Sequence, residues 1–194
     1  MPFFHIILAV DKLGGIGYLG DMPWSFPLDT MYYQTKVTNH SIFPVVVKNT
    51  LIMGRKTFEL LDKNPAIKNK HVSFYVITSQ HETRNKQNQD KEEKVWYVPN
   101  LSSALDIIPH REHVLSEIYV LGGKSVYESA FSHPQCDKIY VTFLDGTFPC
   151  DLFLPIHHLP IQWKNTVSVK DINEHDHKEY QLTFKEGKLL TVRG

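Results

Sequence analysis

The chain has 194 residues, 42% of them hydrophobic and 22% charged, with 21 Lys and Arg balancing 21 Asp and Glu. This size and composition are typical of one soluble globular domain, which we expect to span 1–194. The zero net charge disfavours nucleic acid and anionic membrane surfaces as partners. No apolar run approaches the roughly 20 residues that cross a bilayer, and the opening MPFFHIILAVDK is typical of a first strand rather than a signal peptide.

Strand and helix patterns alternate along most of the chain. Strands rich in β-branched and aromatic residues are predicted at 3–10, 51–53, 72–78, 95–98, 117–121 and 138–144. Short helices are predicted between them, at 28–38, 55–61, 101–108 and 124–131. Alternation of this kind indicates parallel strand pairs joined by right-handed crossovers. We therefore predict a single α/β domain with a mixed sheet.

Two polar or irregular stretches complete the prediction. Residues 81–94, HETRNKQNQDKEEK, are too polar to join a core and are predicted to form a mobile surface loop. In the tail, EYQLTFK and LLTV flank EGK, which predicts a hairpin that adds antiparallel strands at a sheet edge.

Cysteine and histidine usage gives little sign of disulfide or metal chemistry. Cys136 and Cys150 are not at metal-ligand spacing, and we expect two free thiols in a reducing cytosol rather than a disulfide. In EHDHKE, at 174–179, His175 and His177 have no third ligand nearby, so a solvated polar turn is favoured over a metal site.

Three glycine-containing junctions adjoin predicted strands, at 14–21, 53–58 and 121–127. Glycine after a strand lets the backbone approach a ligand closely, and Gly54-Arg55 and Gly123-Lys124 each open a helix, which suits a bridging pyrophosphate. Arg55 opposes the dipole of its own helix, which a bound phosphate near 78–80 would explain. Solvated turn residues are the alternative.

Asp29 is the one carboxylate between Trp24 and Gln34. Pro27 favours helix initiation, so Asp29 could be an ordinary first-turn acid facing water. The nearby aromatic residues Trp24, Phe26, Tyr32 and Tyr33 would instead suit a buried acid beside a flat heteroaromatic ligand. Spacing alone leaves both interpretations open.

Six ordered blocks resemble the dihydrofolate reductase family over nearly the whole chain. They are AVDKLGGIGYLGDMPW, Asp29 five positions after Trp24, IMGRKTFE, VITSQ, YVLGGKSVYE and IYVTFLDGTFPCDLFLP. The resemblance implies a mostly parallel eight-stranded mixed sheet flanked by about four helices. It also implies NADPH-dependent reduction of 7,8-dihydrofolate to tetrahydrofolate, with hydride transfer to C6 and protonation of N5. A cytoplasmic monomer of one-carbon metabolism that binds antifolates would follow.

The same resemblance assigns site residues. The catalytic group would be Asp29 holding the pterin ring, braced by the Thr142 hydroxyl and linked through water to Trp24. Substrate-binding residues would be Ile7, Leu8, Met22, Asp29, Thr30, Tyr33, Lys70, Leu121 and Thr142. Cofactor-binding residues would be Ala9, Ile16, Gly17, Gly20, Asp21, Gly54, Arg55, Lys56, Thr57, Thr78, Ser79, Leu121, Gly122, Gly123, Lys124, Ser125, Val126 and Tyr127. No metal is implied.

More specific expectations follow from the same alignment. Gly122-Gly123 would be joined by a cis peptide, Arg55 with Thr78 and Ser79 would bind the 2′-phosphate, and Asp151 would support the mobile loop at 14–24.

The chain departs from the family pattern at three positions. Thr30 replaces a larger apolar residue, Tyr33 replaces Phe, and Lys70, with Lys68 as the competitor, stands where an Arg usually holds the glutamate carboxylate. Lys offers a point charge rather than a planar fork, so folate would bind more weakly or in another orientation.

Two other functions fit these residues less well. A same-fold reductase acting on a pyrimidine intermediate of riboflavin synthesis would not need Asp29, Trp24 and Thr142 together. The intact Asp29 likewise disfavours a catalytically silent folate- or nucleotide-binding module.

Overall fold

The structure, a computed structural model, describes residues 1–38, 41–42, 45–46, 48–61, 72–87, 95–112 and 116–190. Twelve strands are present there: β1 (Phe4–Val10), β2 (Gly15–Gly17), β3 (Ser41–Ile42), β4 (Val45–Val46), β5 (Asn49–Gly54), β6 (Val72–Ile77), β7 (Val95–Val98), β8 (Ile118–Val120), β9 (Cys136–Leu144), β10 (Leu152–Phe153), β11 (Ile161–Ile172) and β12 (Glu179–Leu189). The helices are α1 (Pro27–Thr38), α2 (Arg55–Leu61), α3 (His81–Gln87), α4 (Leu101–Ile107) and α5 (Lys124–Phe131).

Eight strands form one sheet in the order β11-β12-β9-β1-β8-β5-β6-β7. All neighbouring pairs from β9 to β7 are parallel, and β12 alone is antiparallel to both of its neighbours. This confirms the predicted mixed, mostly parallel sheet. Because β8 lies between β1 and β5, the carboxyl ends of three strands from distant parts of the chain meet at one edge.

Helices cover both faces of the sheet. The apolar side chains of α4 and α5, including Leu105 and Val126, pack on the face that carries Ile6 and Leu8 of β1. Residues of α1 and α2 pack on the opposite face, against Ile7 of the same strand. Strand alternation therefore divides β1 between two cores, and each helix buries the stripe its sequence provides.

The structure overturns the predicted hairpin around EGK. Strand β12 runs through 186–188 without a turn, and its hairpin partner is β11. A Cβ at Gly187 would lie 2.6 Å from Ile161 Cγ2 and 2.8 Å from Trp163 Cε3, next to a register shift between Trp163 and Asn165. Glycine is therefore present because β11 packs closely there, as at a bulge, and it does not mark a turn.

The surface loop predicted at 81–94 is wrong for its first half. Residues 81–87 form α3, which raises the number of helices in the described chain from the expected four to five; residues 88–94 lie outside the described residues. Asn85 ties α3 to β7, donating from Nδ2 to the Tyr97 oxygen at 2.8 Å and accepting from the Tyr97 amide at 3.0 Å. Polar composition hid this helix because its contacts are hydrogen bonds rather than an apolar stripe.

Three smaller features concern the thiols, the residues around His175 and the helix lengths. Cys136 and Cys150 are free thiols, as predicted. Residues 174–176 lie in a turn, and within the described ranges no cluster of His, Cys, Asp or Glu is suited to a metal ion. None of the helices in the described ranges is both long and apolar enough to cross a bilayer.

Candidate active site

Asp29 lies in the first turn of α1 with its carboxylate turned toward β9. The hydroxyl of Thr142, a β9 residue only 2% exposed, hydrogen-bonds to this carboxylate. Burial raises the pKa of Asp29 to about 6, the Thr142 hydrogen bond opposes the rise, and the negative charge of Asp171 adds to it. Asp29 is thus a first-turn residue and a desolvated acid at once, which combines the two interpretations left open by the sequence.

The last hairpin of the chain fixes where α1 begins. Asp171 of β11 accepts a hydrogen bond from the Leu28 amide at 2.8 Å, and Asn173 accepts one from the Ser25 amide at 2.9 Å. The Glu174 amide in turn donates to the Ser25 oxygen. These bonds satisfy backbone groups ahead of and in the first turn of α1, and they hold Asp29 against β9.

Most of the aromatic residues expected to wall a ligand pocket instead support it from behind. Trp24 and Phe26 are 2% and 1% exposed and pack in a cluster with Phe148, at ring distances of 5.2 and 6.2 Å. Tyr32 lies on Phe184, with ring centroids 4.5 Å apart. Burial raises the pKa of both Tyr33 and Tyr32, and the nearby Asp29 charge adds to the rise at each.

Two buried donors, one just before α1 and one within it, lack a partner. Neither Trp24 Nε1 nor the Tyr33 hydroxyl has a hydrogen-bond partner among the described residues. Leaving such a group unpaired costs about 1–3 kcal/mol. A polar ligand, or a water bridging to one, would satisfy both, which fits the pterin-like substrate that the resemblance implies.

Other expected substrate residues divide between the two faces of the sheet. The side chains of Ile7 and Leu121 pack in the same cluster as Tyr33, and Thr30 lies partly exposed on α1. Leu8 packs in the opposite core, so its side chain cannot line a pocket beside Asp29. Lys70 and Lys68 lie outside the described residues.

A glycine turn joins the carboxyl ends of β5 and β8. Gly122 has φ +94°, and its peptide bond to Gly123 is cis, as expected. The Gly54 amide donates to the Gly122 oxygen at 2.6 Å. A Cβ on Gly122 would lie 2.6 Å from the Tyr127 ring, so no other residue fits.

The two glycine junctions predicted to cooperate are in contact. A Cβ on Gly54 would lie 3.5 Å from the Gly123 nitrogen, and one on Gly123 would lie 3.4 Å from Thr57 Oγ1. The starts of α2 and α5 therefore meet, with α5 residues Lys124, Ser125 and Val126 following the turn. The Tyr127 hydroxyl donates to the Ile7 oxygen at 2.9 Å and links this turn to β1.

Arg55 does not stand alone at the start of α2. Its Nη1 lies 2.9 Å from both carboxylate oxygens of Glu59, and Arg84 Nη2 lies 3.6 Å from one of them. Thr78 and Ser79 follow β6 nearby in the sheet, and Lys56 is exposed. Sequence reasoning missed Arg84 because it lies in the segment expected to be a loop.

The loop at 14–24 is held in place by hydrogen bonds to Asp151. The Leu19 amide donates to Asp151 Oδ2 at 2.9 Å, and the Asp151 amide donates to the Gly17 oxygen, so the expected support from Asp151 is present. Ile16 packs against the main core. Gly20 and Asp21 lie in the exposed turn of this loop, and the Met22 side chain is 51% exposed, so the structure does not bring Met22 into the pocket.

The comparisons with known proteins agree with this geometry. The family model for dihydrofolate reductase matches residues 3–188. The chain belongs to the dihydrofolate reductase family. It is 30% identical to dihydrofolate reductase of Drosophila melanogaster over 152 residues, which cover 78% of this chain and 79% of that one. It is 34% identical to that of Heliothis virescens over 151 residues, 77% of each chain.

A solved structure supports the fold. Dihydrofolate reductase from Enterococcus faecalis, complexed with NADP(H) and RAB-propyl, superposes with a TM-score of 0.68 at 24% identity over 97% of each chain. At that identity the likeness speaks for the fold alone. Dihydrofolate reductases reduce dihydrofolate to tetrahydrofolate with NADPH, and membership of the family gives this chain that activity and that cofactor.

Proposed function

We propose that Asp29 is the group that binds and orients the pterin ring of dihydrofolate. Its carboxylate accepts hydrogen bonds from the 2-amino group and N3 of the ring, a charge-assisted pair for which both oxygens must be free of protons. Thr142 holds the carboxylate in position. The observation that carries the proposal is the buried Asp29–Thr142 pair, with the unpartnered Tyr33 hydroxyl close enough for the Asp29 charge to help raise its pKa.

The residues around the glycine turn are proposed to hold the cofactor, and they fit it. Gly122 and Gly123 bring bare backbone to the meeting point of α2 and α5, where Tyr127 and Thr57 pack against them. Ala9, Ile16 and Leu121 are proposed to line the nicotinamide end. The residues proposed to surround the pyrophosphate of the cofactor are Gly54, Lys56, Thr57, Lys124, Ser125 and Val126. Arg55, Thr78 and Ser79 bind the 2′-phosphate, and Lys70 is proposed for the glutamate carboxylate of the substrate.

Bound NADPH supplies the hydride that reduces C6 of the pterin. The protein's part is positional and electrostatic. Asp29 fixes the ring against the face where the cofactor residues lie, and the buried Trp24 Nε1 is a donor for the water that links this network to the ring. Asp29 lies at the amino end of the ring rather than at N5, so water delivers the N5 proton.

Location, oligomeric state and partners are also proposed. Both thiols are free, which fits a reducing cytoplasm. A monomer is proposed from membership of the family, and the zero net charge fits a protein without nucleic-acid partners. Antifolates that carry the same paired donors as the pterin are proposed to bind at Asp29.

Asp29→Asn tests the proposal. We expect single-turnover hydride transfer, followed at 340 nm with dihydrofolate and NADPH, to fall by roughly two to four orders of magnitude at about pH 7. We expect the wild type to lose activity on the acid side, around the Asp29 pKa of about 6, and this loss should largely disappear in the variant.

Asp106→Asn is the matched control, because Asp106 is an exposed acid on α4. It should keep the wild-type rate and pH profile. An Asp29→Asn variant with wild-type single-turnover rates would show that this carboxylate does not bind the substrate.

A further inference from the structure

Arg84 is a cation that the assignment of cofactor residues does not use. Its Nη2 lies 3.6 Å from Glu59 Oε1, and its guanidinium lies 5.4 Å from the centre of the Tyr97 ring. Its Nε is buried without a hydrogen-bond partner among the described residues. The two hydrogen bonds between the Asn85 side chain and the Tyr97 backbone hold α3 against β7. The position of Arg84, the residue before Asn85, is therefore set by the fold.

Glu59 poses an electrostatic problem for an anion-binding Arg55. It lies one turn further along α2, and both of its oxygens accept from Arg55 Nη1 at 2.9 Å. A carboxylate paired in this way competes with an incoming phosphate for the guanidinium and also repels it. Arg55 and Glu59 together carry no net charge, whereas adding Arg84 gives the group of three a charge of +1.

We infer that Arg84 is a positioning residue for the preference for NADPH over NADH, acting through Glu59. It neutralises the Glu59 carboxylate and gives it a second cation to pair with on α3, so that the Arg55 guanidinium can exchange Glu59 for the 2′-phosphate. This rests on the proposed role of Arg55. Arg84 itself does not touch the phosphate, so its effect depends on the presence of Glu59.

A purely structural role for Arg84 would be to cover Tyr97. Arg111 covers the preceding residue of β7 in the same way, with its guanidinium 4.0 Å from the centre of the Trp96 ring. The two residues are therefore a matched pair: both place a cation on an aromatic residue of β7, and Arg84 alone adds the contact with Glu59.

The test is a double-mutant cycle on the binding of NADPH and NADH, measured by titration of the purified enzyme. We expect Arg84→Gln to weaken NADPH about fivefold, from the usual size of a partly exposed charge interaction, and to leave NADH unchanged. Glu59→Gln should tighten NADPH. Adding Arg84→Gln to Glu59→Gln should have no further effect, and Arg111→Gln should leave the ratio of the two affinities as in the wild type.

Two results would overturn the inference. One is an unchanged NADPH/NADH ratio in Arg84→Gln. The other is an equal loss in the Glu59→Gln background, which would mean direct contact with phosphate or damage to α3. Arg55→Gln separates this from the proposed function: if it abolishes the NADPH preference while Arg84→Gln does not, the role of Arg55 stands and the inference about Arg84 fails. If Arg55→Gln leaves the preference intact, both fail.

Discussion

Asp29 carries its negative charge where the surrounding protein disfavours it. Its pKa is about 6 in the folded chain, against 3.8 for an ordinary Asp. The folded state therefore binds the proton more readily than the unfolded state, and the ionised carboxylate lowers the free energy of unfolding. This cost is absent below about pH 4, grows as the pH rises, and is complete above about pH 6. A shift of this size corresponds to at most about 3 kcal/mol.

Replacing the acid should therefore stabilise the protein while inactivating it. We expect Asp29→Asn to raise the free energy of unfolding at about pH 8, by up to about 3 kcal/mol, because the amide carries no charge to desolvate. The gain should shrink toward zero at about pH 4. Urea unfolding at the two pH values measures it, with Asp106→Asn as the exposed control. An equal gain at both pH values would show that burial of the charge is not its cause.

At the scale of elements, the β11–β12 hairpin connects the end of the chain to the start of α1. Its turn region supplies Asp171 and Asn173, which bind the backbone at Leu28 and Ser25. Its other end depends on Gly187, where Ile161 and Trp163 leave no space for a side chain. The hairpin is therefore part of the support of the active site, although none of its residues is proposed to touch a ligand.

Gly187→Ala should destabilise the protein. A Cβ there would lie 2.9 Å from the Gln162 oxygen as well as close to Ile161 and Trp163, so β11 must shift, at a cost of about 1–3 kcal/mol. Urea unfolding would measure the loss, and the NADPH/NADH affinity ratio should be unchanged because Arg55 is remote from the hairpin. Gly54→Ala is the comparison for stability, since its Cβ would meet nothing nearer than 3.5 Å and its φ lies outside the left-handed region. A stability loss at Gly187 no larger than at Gly54 would argue against the packing explanation.

At the scale of the whole molecule, the sequence predicted features that depend on neighbouring residues and missed those that depend on contacts between distant ones. The alternation of strands and helices is local, so the α/β class and helices such as α2 and α5 were predicted with their exact bounds. The hydrogen bond from the Leu28 amide to Asp171, at the start of α1, joins residues 143 positions apart, and no periodicity in the sequence reports such a contact. Arg84 was missed because α3 is held by hydrogen bonds to Tyr97 rather than by an apolar stripe. Thr142 was found through the family resemblance alone.

The fold also predicts that binding at the proposed substrate site and binding at the proposed cofactor site can be impaired independently. Asp29 and Thr142 join α1 to β9, whereas Arg55, Thr78 and the glycine turn lie around β5, β6 and β8, so each ligand stabilises the same cooperative unit through different residues. A ligand at a hundred times its dissociation constant adds about 2.7 kcal/mol to the free energy of unfolding. In thermal unfolding, Asp29→Asn should keep the full rise in Tm with NADPH and lose most of the rise with methotrexate. Arg55→Gln should do the reverse, since it removes a phosphate contact and leaves the Asp29–Thr142 pair intact. If Asp29→Asn lost both responses, the carboxylate would be organising the cleft as a whole, and its role could not be confined to the substrate.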